Sequence, residues 1–273
     1  MERHAIMNRF TSGSPLARNA AQPANCGNCP ARTHCLPTGM NDTYCAAIDQ
    51  LVERRVQLVR GEHLYQMNEP LSDHLYAIRS GQFKTYHLTP EGEQRVTGFH
   101  MSGEFLGLDA IGLHVHRGSA VALTNAEVCE FSYHRLADAA QRMEPLSQLF
   151  HNLLSKELAR QQDTTLLLRN GHADQKFANF LLRMSRCYAA RGSAPNLFQL
   201  PMSRQEIGDF LGLTAATISR LICNFKGQGC IKAVRRNIII LDQAMLTRIA
   251  TGTPHPAPAV VARVPASPVL QLA

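Results

Sequence analysis

The sequence has few charged residues and no long apolar run. Charged residues make up 18% of the 273 residues and apolar ones 45%. This composition excludes a disordered polyelectrolyte and is enough for a sizeable core, in one large domain or two ordinary ones. No apolar run approaches the roughly 18 residues of a membrane-spanning helix, and no apolar stretch follows the N-terminus as in a secretory signal. We therefore expect a cytoplasmic protein with no membrane partner.

Familiar catalytic motifs are also missing. The chain has no G-x-S-x-G, no P-loop and no H-E-x-x-H, and its twelve histidines are scattered. Nothing in the sequence therefore indicates an enzyme. Eight cysteines in a cytoplasmic chain indicate metal binding, redox chemistry or plain burial rather than a disulfide framework.

Positive charge is concentrated towards the C-terminus. Residues 1–168 carry a net charge of −2, whereas residues 169–250 carry +8. The basic block predicts a polyanion partner such as nucleic acid. The alternative is an ordinary solvated basic face.

The middle of the chain is rich in short apolar runs separated by glycines. Short strands at this spacing are typical of an antiparallel barrel or roll. The runs are His63–Tyr65, Leu75–Ile78, Phe83–Tyr86, Val96–Phe99, Ala120–Leu123 and Val128–Phe131.

The pattern becomes helical from about residue 136 to residue 169. One set of residues recurs at alternating spacings of four and three, which predicts a coiled-coil seam of about two heptads with two polar positions. We favour dimerisation through this seam over an ordinary helix that faces a core. Another amphipathic helix is predicted over residues 172–191. The seam residues are Leu154, Leu158, Gln161, Thr165 and Leu168.

The basic block contains the pattern of a helix-turn-helix. Ser203 and Glu206 form a capping box, which predicts the start of a helix. Gly212 suits the left-handed turn that ends it, and Thr214 can cap a second helix. Two short helices joined by a tight turn match the DNA-binding motif, the alternative being a helical hairpin in an unrelated core. The predicted buried side of the second helix is Ile218, Leu221, Ile222 and Phe225.

The second helix of such a motif places its N-terminal residues on base edges in the major groove. The Arg220 guanidinium can bind O6 and N7 of guanine, and Thr217 and Ser219 suit phosphate or base contacts. After the helix, two apolar runs flank the turn 235–237, which predicts a hairpin with a basic tip, a wing. The candidate DNA-binding residues are Ser203, Thr214, Ala215, Ala216, Thr217, Ser219 and Arg220.

The N-terminal cysteines indicate a metal centre. Cys26, Cys29 and Cys35 have the spacing C-x2-C-x5-C, and thiolates so spaced can converge on one centre. A closed site needs a fourth ligand, either Cys45 nearby or Cys129 in a predicted strand of the roll. The spacing leaves structural zinc, an iron–sulfur cluster and unpaired thiols all open.

Four segments, in this order along the chain, resemble the fumarate and nitrate reduction regulator (FNR) family of the cyclic-AMP receptor protein superfamily. The resemblance covers about residues 26–250. It implies an α+β fold with an N-terminal antiparallel β-roll, a jelly roll like that of cyclic-nucleotide-binding domains. A long dimerisation helix and a C-terminal winged helix-turn-helix would follow. The segments are Leu75–Gly81, Val96–His100, Asp109–Gly112 and Leu211–Leu221.

The chain then divides into six parts. They are a flexible N-terminus (1–25), a cysteine-rich cluster-binding segment (26–49), the β-roll sensor domain (50–140), the dimerisation helix (141–170), the winged helix-turn-helix domain (171–250) and a disordered proline-rich tail (251–273).

The resemblance also implies an oxygen sensor. In the family a [4Fe-4S] cluster is bound by cysteines that match Cys26, Cys29, Cys35 and Cys129. Cys45 falls in a following helix, at a position that is usually apolar. The intact cluster favours a homodimer that binds a palindromic site on double-stranded DNA, and oxygen degrades it. The alternative is a regulator of the same superfamily with structural zinc or a small-molecule effector.

The resemblance implies RNA polymerase as a further partner, contacted by the loop Leu88–Gln94. From spacing alone that loop is a hairpin turn. The target genes implied are those of anaerobic or microaerobic metabolism, activated or repressed.

The sequence departs from the family pattern in the recognition helix and in the seam. Ala216 stands where members usually have Glu, whose carboxylate can accept a bond from cytosine N4, so we expect discrimination at that base pair to weaken by about 1–3 kcal/mol. Gln161 stands where some members have an acidic residue that repels its symmetry mate. We therefore expect the cluster-free chain to dimerise more readily.

Two further departures concern ligands. Pro30 has no N–H to give to a cluster sulfur; His34 can donate one or face solvent, and we favour solvent. Cyclic-nucleotide relatives have Arg where this chain has Gly118. Arg117 is offset by one residue and would point the other way in a strand. We therefore expect no cyclic nucleotide.

Overall fold

The structure is a computed structural model that describes residues 25–70, 73–169 and 171–252. The predictions for residues 1–24 and for the tail from residue 253 lie outside the described residues. Within the described ranges, no helix is long and apolar enough to cross a membrane.

The helices and strands alternate in blocks along the chain. The helices are α1 (Asp42–Asp49), α2 (Tyr133–Arg142), α3 (Glu144–Arg169), α4 (Ala173–Ala190), α5 (Arg204–Leu211), α6 (Ala215–Gly227) and α7 (Gln243–Thr251). The strands are β1 (Val52–Leu58), β2 (His63–Tyr65), β3 (His74–Ser80), β4 (Gln82–Leu88), β5 (Gln94–Met101), β6 (Phe105–Leu106), β7 (Ser119–Ala122), β8 (Ala126–Ser132), β9 (Leu197–Gln199), β10 (Ile231–Val234) and β11 (Asn237–Ile240).

The first eight strands form the predicted roll. They make two four-stranded antiparallel sheets, in the orders β1-β8-β3-β6 and β2-β7-β4-β5. Side chains such as Ile78, Phe83 and Val128 are fully buried in the core of the roll. Strands β1 and β6 were not among the predicted runs. β1 carries Glu53, Arg54 and Arg55 between its apolar residues, so it lacks a continuous apolar signal.

The helical region is two helices rather than one. α2 ends at Arg142, Met143 is extended (φ −127°, ψ 93°), and α3 begins at Glu144. The long helix therefore starts three residues later than the predicted segment 141–170. Pro145 lies in the first turn of α3, where its missing N–H costs nothing because that donor has no partner within the helix.

The helix-turn-helix forms as predicted. Ser203 Oγ accepts from the Glu206 amide at 3.1 Å, and the Ser203 amide donates to Glu206 Oε2 at 2.6 Å, which completes the capping box. Gly212 ends α5 with a φ of 66°. A Cβ on Gly208 would lie 2.5 Å from the Leu213 carbonyl oxygen, so this turn can close tightly only over glycine.

The wing is larger than the predicted hairpin. β10 and β11 pair antiparallel around a turn at Arg235, whose φ is 54°. β9 adds a third strand next to β11, with Phe198 opposite Ile238. α7 then packs on α4 and extends one residue past the predicted domain end at residue 250.

The roll and the C-terminal helices share a core. The ring centroid of Phe99 on β5 lies 5.1 Å from that of Phe210 on α5 and 6.1 Å from that of Phe180 on α4. Val96 and Leu123 of the roll belong to the same buried cluster. Helices α4 and α5 therefore pack directly against β5 of the roll.

Candidate functional site

The cysteine segment folds as a series of tight turns. The Arg32 amide donates to the Cys29 carbonyl at 3.0 Å, and the Cys35 amide donates to the Ala31 carbonyl at 3.0 Å. The Cys26 amide donates to Asp49 Oδ1 at 2.7 Å, which ties the start of the segment to the end of α1. Successive turns therefore keep three cysteines close together in space.

All four predicted ligands line one small cavity. Cys26, Cys29 and Cys35 approach it from the turns, and Cys129 comes from β8, where it lies opposite Ala77 of β3. Cys45 does not line this cavity, since its side chain is buried on α1 within a hydrophobic core. The structure therefore brings together the four cysteines that the resemblance implied and leaves Cys45 apart.

The volume of the cavity suits a single metal ion, whereas the spacing of its sulfurs suits a larger group. The cavity measures about 20 Å³, so a group larger than a single ion requires the turns to move outwards. Among the described residues, however, no three of the cysteine sulfurs lie within 4.8 Å of one another. A tetrahedral zinc with Zn–S bonds of about 2.3 Å needs its sulfurs within about 4 Å of each other. A wider polynuclear cluster does not need its sulfurs so close, and four thiols at one cavity are the number of ligands that such a cluster takes.

Burial raises the pKa of three of these thiols above the ordinary cysteine value. Burial raises the pKa of Cys35 to about 12, and burial together with the neighbouring Cys29 raises the pKa of Cys129 to about 12. Burial raises the pKa of Cys26 as well, and the Asp49 carboxylate adds to it. A metal centre must therefore displace protons as it binds. The Arg79 side chain lines the same cavity and brings positive charge to it.

The cysteine segment shares a core with the base of α3. Leu36 and Ile48 from the segment and α1 are buried in the same cluster as Leu146 and Phe150 of α3. A rearrangement of the cysteine segment would therefore disturb a core that also contains the base of the long helix.

The predicted seam lies largely on the exposed side of α3. The side chains of Leu154 and Leu158 are 36% and 62% exposed. Gln161 and Thr165 are also exposed, and Leu168 is half-buried. Exposed leucines at heptad spacing are the pattern of a helix whose partner is a second copy of the chain.

The predicted DNA-reading residues lie at the exposed start of α6. Thr214 caps α6 by accepting from the Thr217 amide at 3.1 Å. Thr214, Ala216 and Arg220 are exposed, whereas Ala215, Thr217 and Ser219 are half-buried. The Ser203 hydroxyl is exposed but is engaged as the cap of α5.

One basic residue at this surface was missed from the sequence. Arg204 Nη1 donates to Ser219 Oγ at 3.0 Å, so the first residue of α5 adds a cation beside α6. Its position directly after the Ser203 cap was the signal that could have identified it.

Comparison with known proteins identifies two domain families in the chain. Residues 55–143 match the cyclic nucleotide-binding domain family, and residues 175–249 match the Crp-like helix-turn-helix domain family. The fumarate and nitrate reduction regulatory protein of Escherichia coli is 36% identical over 229 residues, 84% of this chain and 91% of that protein. The transcriptional activator protein Anr of Pseudomonas protegens is 36% identical over 239 residues, 88% of this chain and 98% of that protein.

The chain belongs to the FNR family. It is a DNA-binding transcription regulator, and its relatives are named as regulators rather than enzymes, as predicted.

Solved structures agree with the family assignment. FixK2 from Bradyrhizobium japonicum aligns with a TM-score of 0.65 and 28% identity, over 71% of this chain and 96% of that one. A transcriptional regulator of the CRP family from Thermus thermophilus aligns with a TM-score of 0.57 and 23% identity, over 71% of this chain and 96% of that one, which shows the shared fold.

The cyclic-nucleotide-binding domain of this FNR-family chain has a cavity of about 630 Å³ between the roll and α3. The prediction that Arg117 lies in a strand is wrong, because β7 begins at Ser119. Arg117 is in the preceding loop and lines the cavity. At Gly118 a Cβ would lie 2.9 Å from the Tyr86 carbonyl oxygen, so a larger residue would need the backbone to shift.

The charges around this cavity are balanced. Arg117 and Arg160 line it, but so do Asp109 and Glu157. Glu157 binds Arg160 with an Nε–Oε2 distance of 2.7 Å, so that guanidinium is already paired. A phosphate would meet both carboxylates, and the expectation of no cyclic nucleotide therefore stays a prediction.

A second group of possible metal ligands lies on strands β1, β3 and β8. Glu53, His74 and Glu130 place their ligand atoms within 4.8 Å of one another. Both oxygens of Glu130 are bound by Arg54, at 2.8 and 3.0 Å. This group is therefore explained as an ion-pair network rather than a metal centre.

Proposed function

We propose that this chain is an oxygen-responsive, cytoplasmic transcription regulator of anaerobic or microaerobic metabolism. It binds a palindromic DNA site as a homodimer when a [4Fe-4S] cluster is held by Cys26, Cys29, Cys35 and Cys129. The observation that carries the proposal is the convergence of these four cysteines on one cavity. Relatives that are 36% identical and are named for fumarate and nitrate reduction support it.

The cluster, when bound, supplies the oxygen-labile group at these sulfurs. The chain's own residues provide the rest of the response. Leu36 and Ile48 of the ordered cysteine segment and α1 share one buried cluster with Leu146 and Phe150, and this cluster supports the base of α3. Higher on α3, the exposed Leu154 and Leu158 then meet their symmetry mates in the dimer.

Dimerisation explains sequence-specific binding. Two copies of α6, related by a two-fold axis, reach two half-sites of a palindrome. The charge of +8 on residues 169–250 favours contact with phosphates, and Arg220 is placed to read a guanine. The loop between β4 and β5 is an exposed hairpin turn that would contact RNA polymerase.

An anaerobic absorption spectrum with iron and sulfide assays tests the proposal. We expect a broad visible absorption and about four irons per chain, both lost after air is added. DNA affinity, measured on the same samples with a palindromic duplex, should fall as the absorption falls.

Structural zinc is the other candidate, favoured by the small volume of the cavity. A colourless protein with one zinc and an air-independent DNA affinity would establish that alternative. The chain would then remain a DNA-binding regulator without oxygen sensing.

A further inference from the structure

The turn Ser102–Glu104, between β5 and β6, is hydrogen-bonded to the wall of the cysteine cavity. The Gly103 amide donates to the Ile78 carbonyl at 2.7 Å, and the Ile78 amide donates to the Glu104 carbonyl at 2.9 Å. Ser102 Oγ donates to the Arg79 carbonyl at 2.9 Å. Both Ile78 and Arg79 line the cavity of the four cysteines. The turn is therefore hydrogen-bonded to the backbone of two residues in the cavity wall.

The same turn touches the cysteine segment itself. A Cβ on Gly103 would lie 2.5 Å from His34 Cβ and 2.9 Å from the His34 backbone, so the two backbones are in close contact. His34 directly precedes Cys35, and its side chain is exposed. Any displacement of the cysteine segment would therefore also displace Gly103.

The other side of the turn is hydrogen-bonded to α4, the first helix of the DNA-binding domain. Arg191, the C-cap of α4, donates through Nε to the Ser102 carbonyl at 2.7 Å and through Nη2 to Glu104 Oε1 at 2.8 Å. Its Nη1 donates to the Cys187 carbonyl at 2.8 Å, which fixes the guanidinium to the end of α4. The side chain is only 18% exposed. A single arginine therefore connects the turn to the helix on which the DNA-binding domain is built.

There is room for this connection to change. A cavity of about 310 Å³ is lined by His34, Gly103, Glu104, Arg160 and Arg191. Glu104 Oε2 lies 3.6 Å from Nδ1 of the buried His100, and both atoms lack a hydrogen bond within the described residues. The hydrogen-bonding capacity of Glu104 is therefore not fully used. A shift of the turn would not have to break a complete hydrogen-bond network around this residue.

We propose that the turn Ser102–Glu104 transmits the state of the cysteine segment to the DNA-binding domain, with Arg191 as the positioning residue. In the docked arrangement Thr214, Ala216 and Arg220 of the reading helix are exposed, and the proposal assigns this arrangement to the DNA-binding state. This inference rests on the proposed function, since it requires the cysteine segment to change when the cluster is lost.

The test compares Arg191→Gln with Arg186→Gln, a matched loss of charge at an exposed position of α4. Affinity for a palindromic duplex is measured by fluorescence anisotropy, anaerobically and after air, with iron content and sedimentation on each sample. We expect Arg191→Gln to keep the cluster and the dimer but to lose about tenfold in anaerobic affinity, since charged hydrogen bonds are lost. Arg186→Gln should behave as the wild type.

Two further variants control for an effect of misfolding on the measured affinity. Arg191→Lys can reach Ser102 or Glu104 but not both at once, so its affinity should lie between those of the wild type and Arg191→Gln. Glu104→Gln keeps an acceptor without its charge and should also fall in between. Circular dichroism of each variant should match the wild type.

The outcomes separate the two proposals. Suppose that the wild type loses affinity in air, and that Arg191→Gln has the same anaerobic affinity and the same ratio of anaerobic to aerobic affinity as the wild type. The turn then does not transmit the signal. If Arg191→Gln loses cluster or dimer in proportion to its affinity, Arg191 stabilises the sensor and the inference is wrong. If the wild type holds no cluster and does not respond to air, the proposed function fails and this inference fails with it.

Discussion

The Nζ atom of Lys84, on β4 of the roll, lies 2.7 Å from Oε1 of Glu206 on α5. The other oxygen of Glu206 accepts from the Ser203 amide, so one carboxylate both caps the first helix of the helix-turn-helix and attaches it to the roll. A second link joins the Val96 amide to Asp209 Oδ2 at 2.6 Å. The helix that precedes the recognition helix is therefore docked on the roll.

Removal of the Glu206 charge should lower stability in a pH-dependent way. Burial alone would raise the pKa of Glu206, but the hydrogen bonds from Lys84 and the Ser203 amide outweigh it and lower the pKa. The stabilisation is therefore present above the ordinary glutamate pKa of about 4 and is lost as pH falls through the lowered folded value. Glu206→Gln keeps the cap and should cost about 1–3 kcal/mol at pH 7.

Urea unfolding at a series of pH values measures this effect. The difference between the wild type and Glu206→Gln should vanish at acidic pH. Glu93→Gln, an exposed carboxylate (63%) beside the same strand pair, should show little difference at any pH. A Glu206→Gln difference that is constant with pH would refute the ion-pair explanation.

Loss of one ligand should abolish the cluster, whereas loss of the neighbouring buried cysteine should not. Cys129→Ala removes a sulfur from the shared cavity, so the anaerobic protein should contain little iron or sulfide. Cys45→Ala removes a buried thiol that does not line the cavity and should keep the wild-type spectrum with a small loss of stability. Iron retained by Cys129→Ala and lost from Cys45→Ala would exchange the roles of the two residues.

A carboxylate at position 216 should sharpen DNA recognition. Ala216 is exposed in the first turn of α6, where a glutamate could accept from cytosine N4. In a binding-site selection, Ala216→Glu should gain about 1–3 kcal/mol of discrimination at one G·C pair. Ala244→Glu, in the exposed first turn of α7, adds the same charge and should leave the selected site unchanged. An invariant G·C pair selected at that position by the wild type would contradict this.

A charge in the seam should prevent dimerisation without unfolding the chain. Leu158 is 62% exposed in the single chain, so Leu158→Glu places like charges at the two-fold axis without disturbing the core. Sedimentation of the cluster-loaded protein should show monomer for Leu158→Glu and dimer for Gln162→Glu, an exposed position outside the seam. A dimeric Leu158→Glu would place the interface elsewhere.

The same measurement on the cluster-free wild type tests the expectation for Gln161. Its amide donates to Glu157 Oε1 at 2.7 Å within α3, so no charge at this position opposes a second helix. Some dimer should therefore remain at tens of micromolar. Monomer alone under those conditions would show that the missing repulsion has no effect.

Cyclic AMP should not bind with useful affinity. The carboxylates of Asp109 and Glu157 line the cavity that Arg117 also lines, and a phosphate would have to approach both. Isothermal titration calorimetry should show no saturable heat. Micromolar binding that Arg117→Ala removes would assign a phosphate-binding role to that arginine.

The helix-turn-helix shows how much can be predicted from local pattern. The cap at Ser203, the partner Glu206 and the turn at Gly212 lie within ten residues, and each has a conformational preference that acts without the rest of the chain. Helical periodicity predicts the register of the seam in the same way. By contrast, β9 and the short β6 have too few apolar residues to be identified before their partner strands are known.

Spacing alone left the choice between Cys45 and Cys129 open, and the fold places only Cys129 at the cavity, because β8 pairs with β3 beside the cysteine segment. The sequence by itself determined the capped helices, the longer strands and the chemistry that they carry. Only the tertiary structure decided that Lys84 meets Glu206 and that Arg191 meets Glu104, 122 and 87 residues apart in the chain. Periodicity and caps report the conformation of neighbouring residues, whereas contacts across the chain depend on how whole sheets and helices pack.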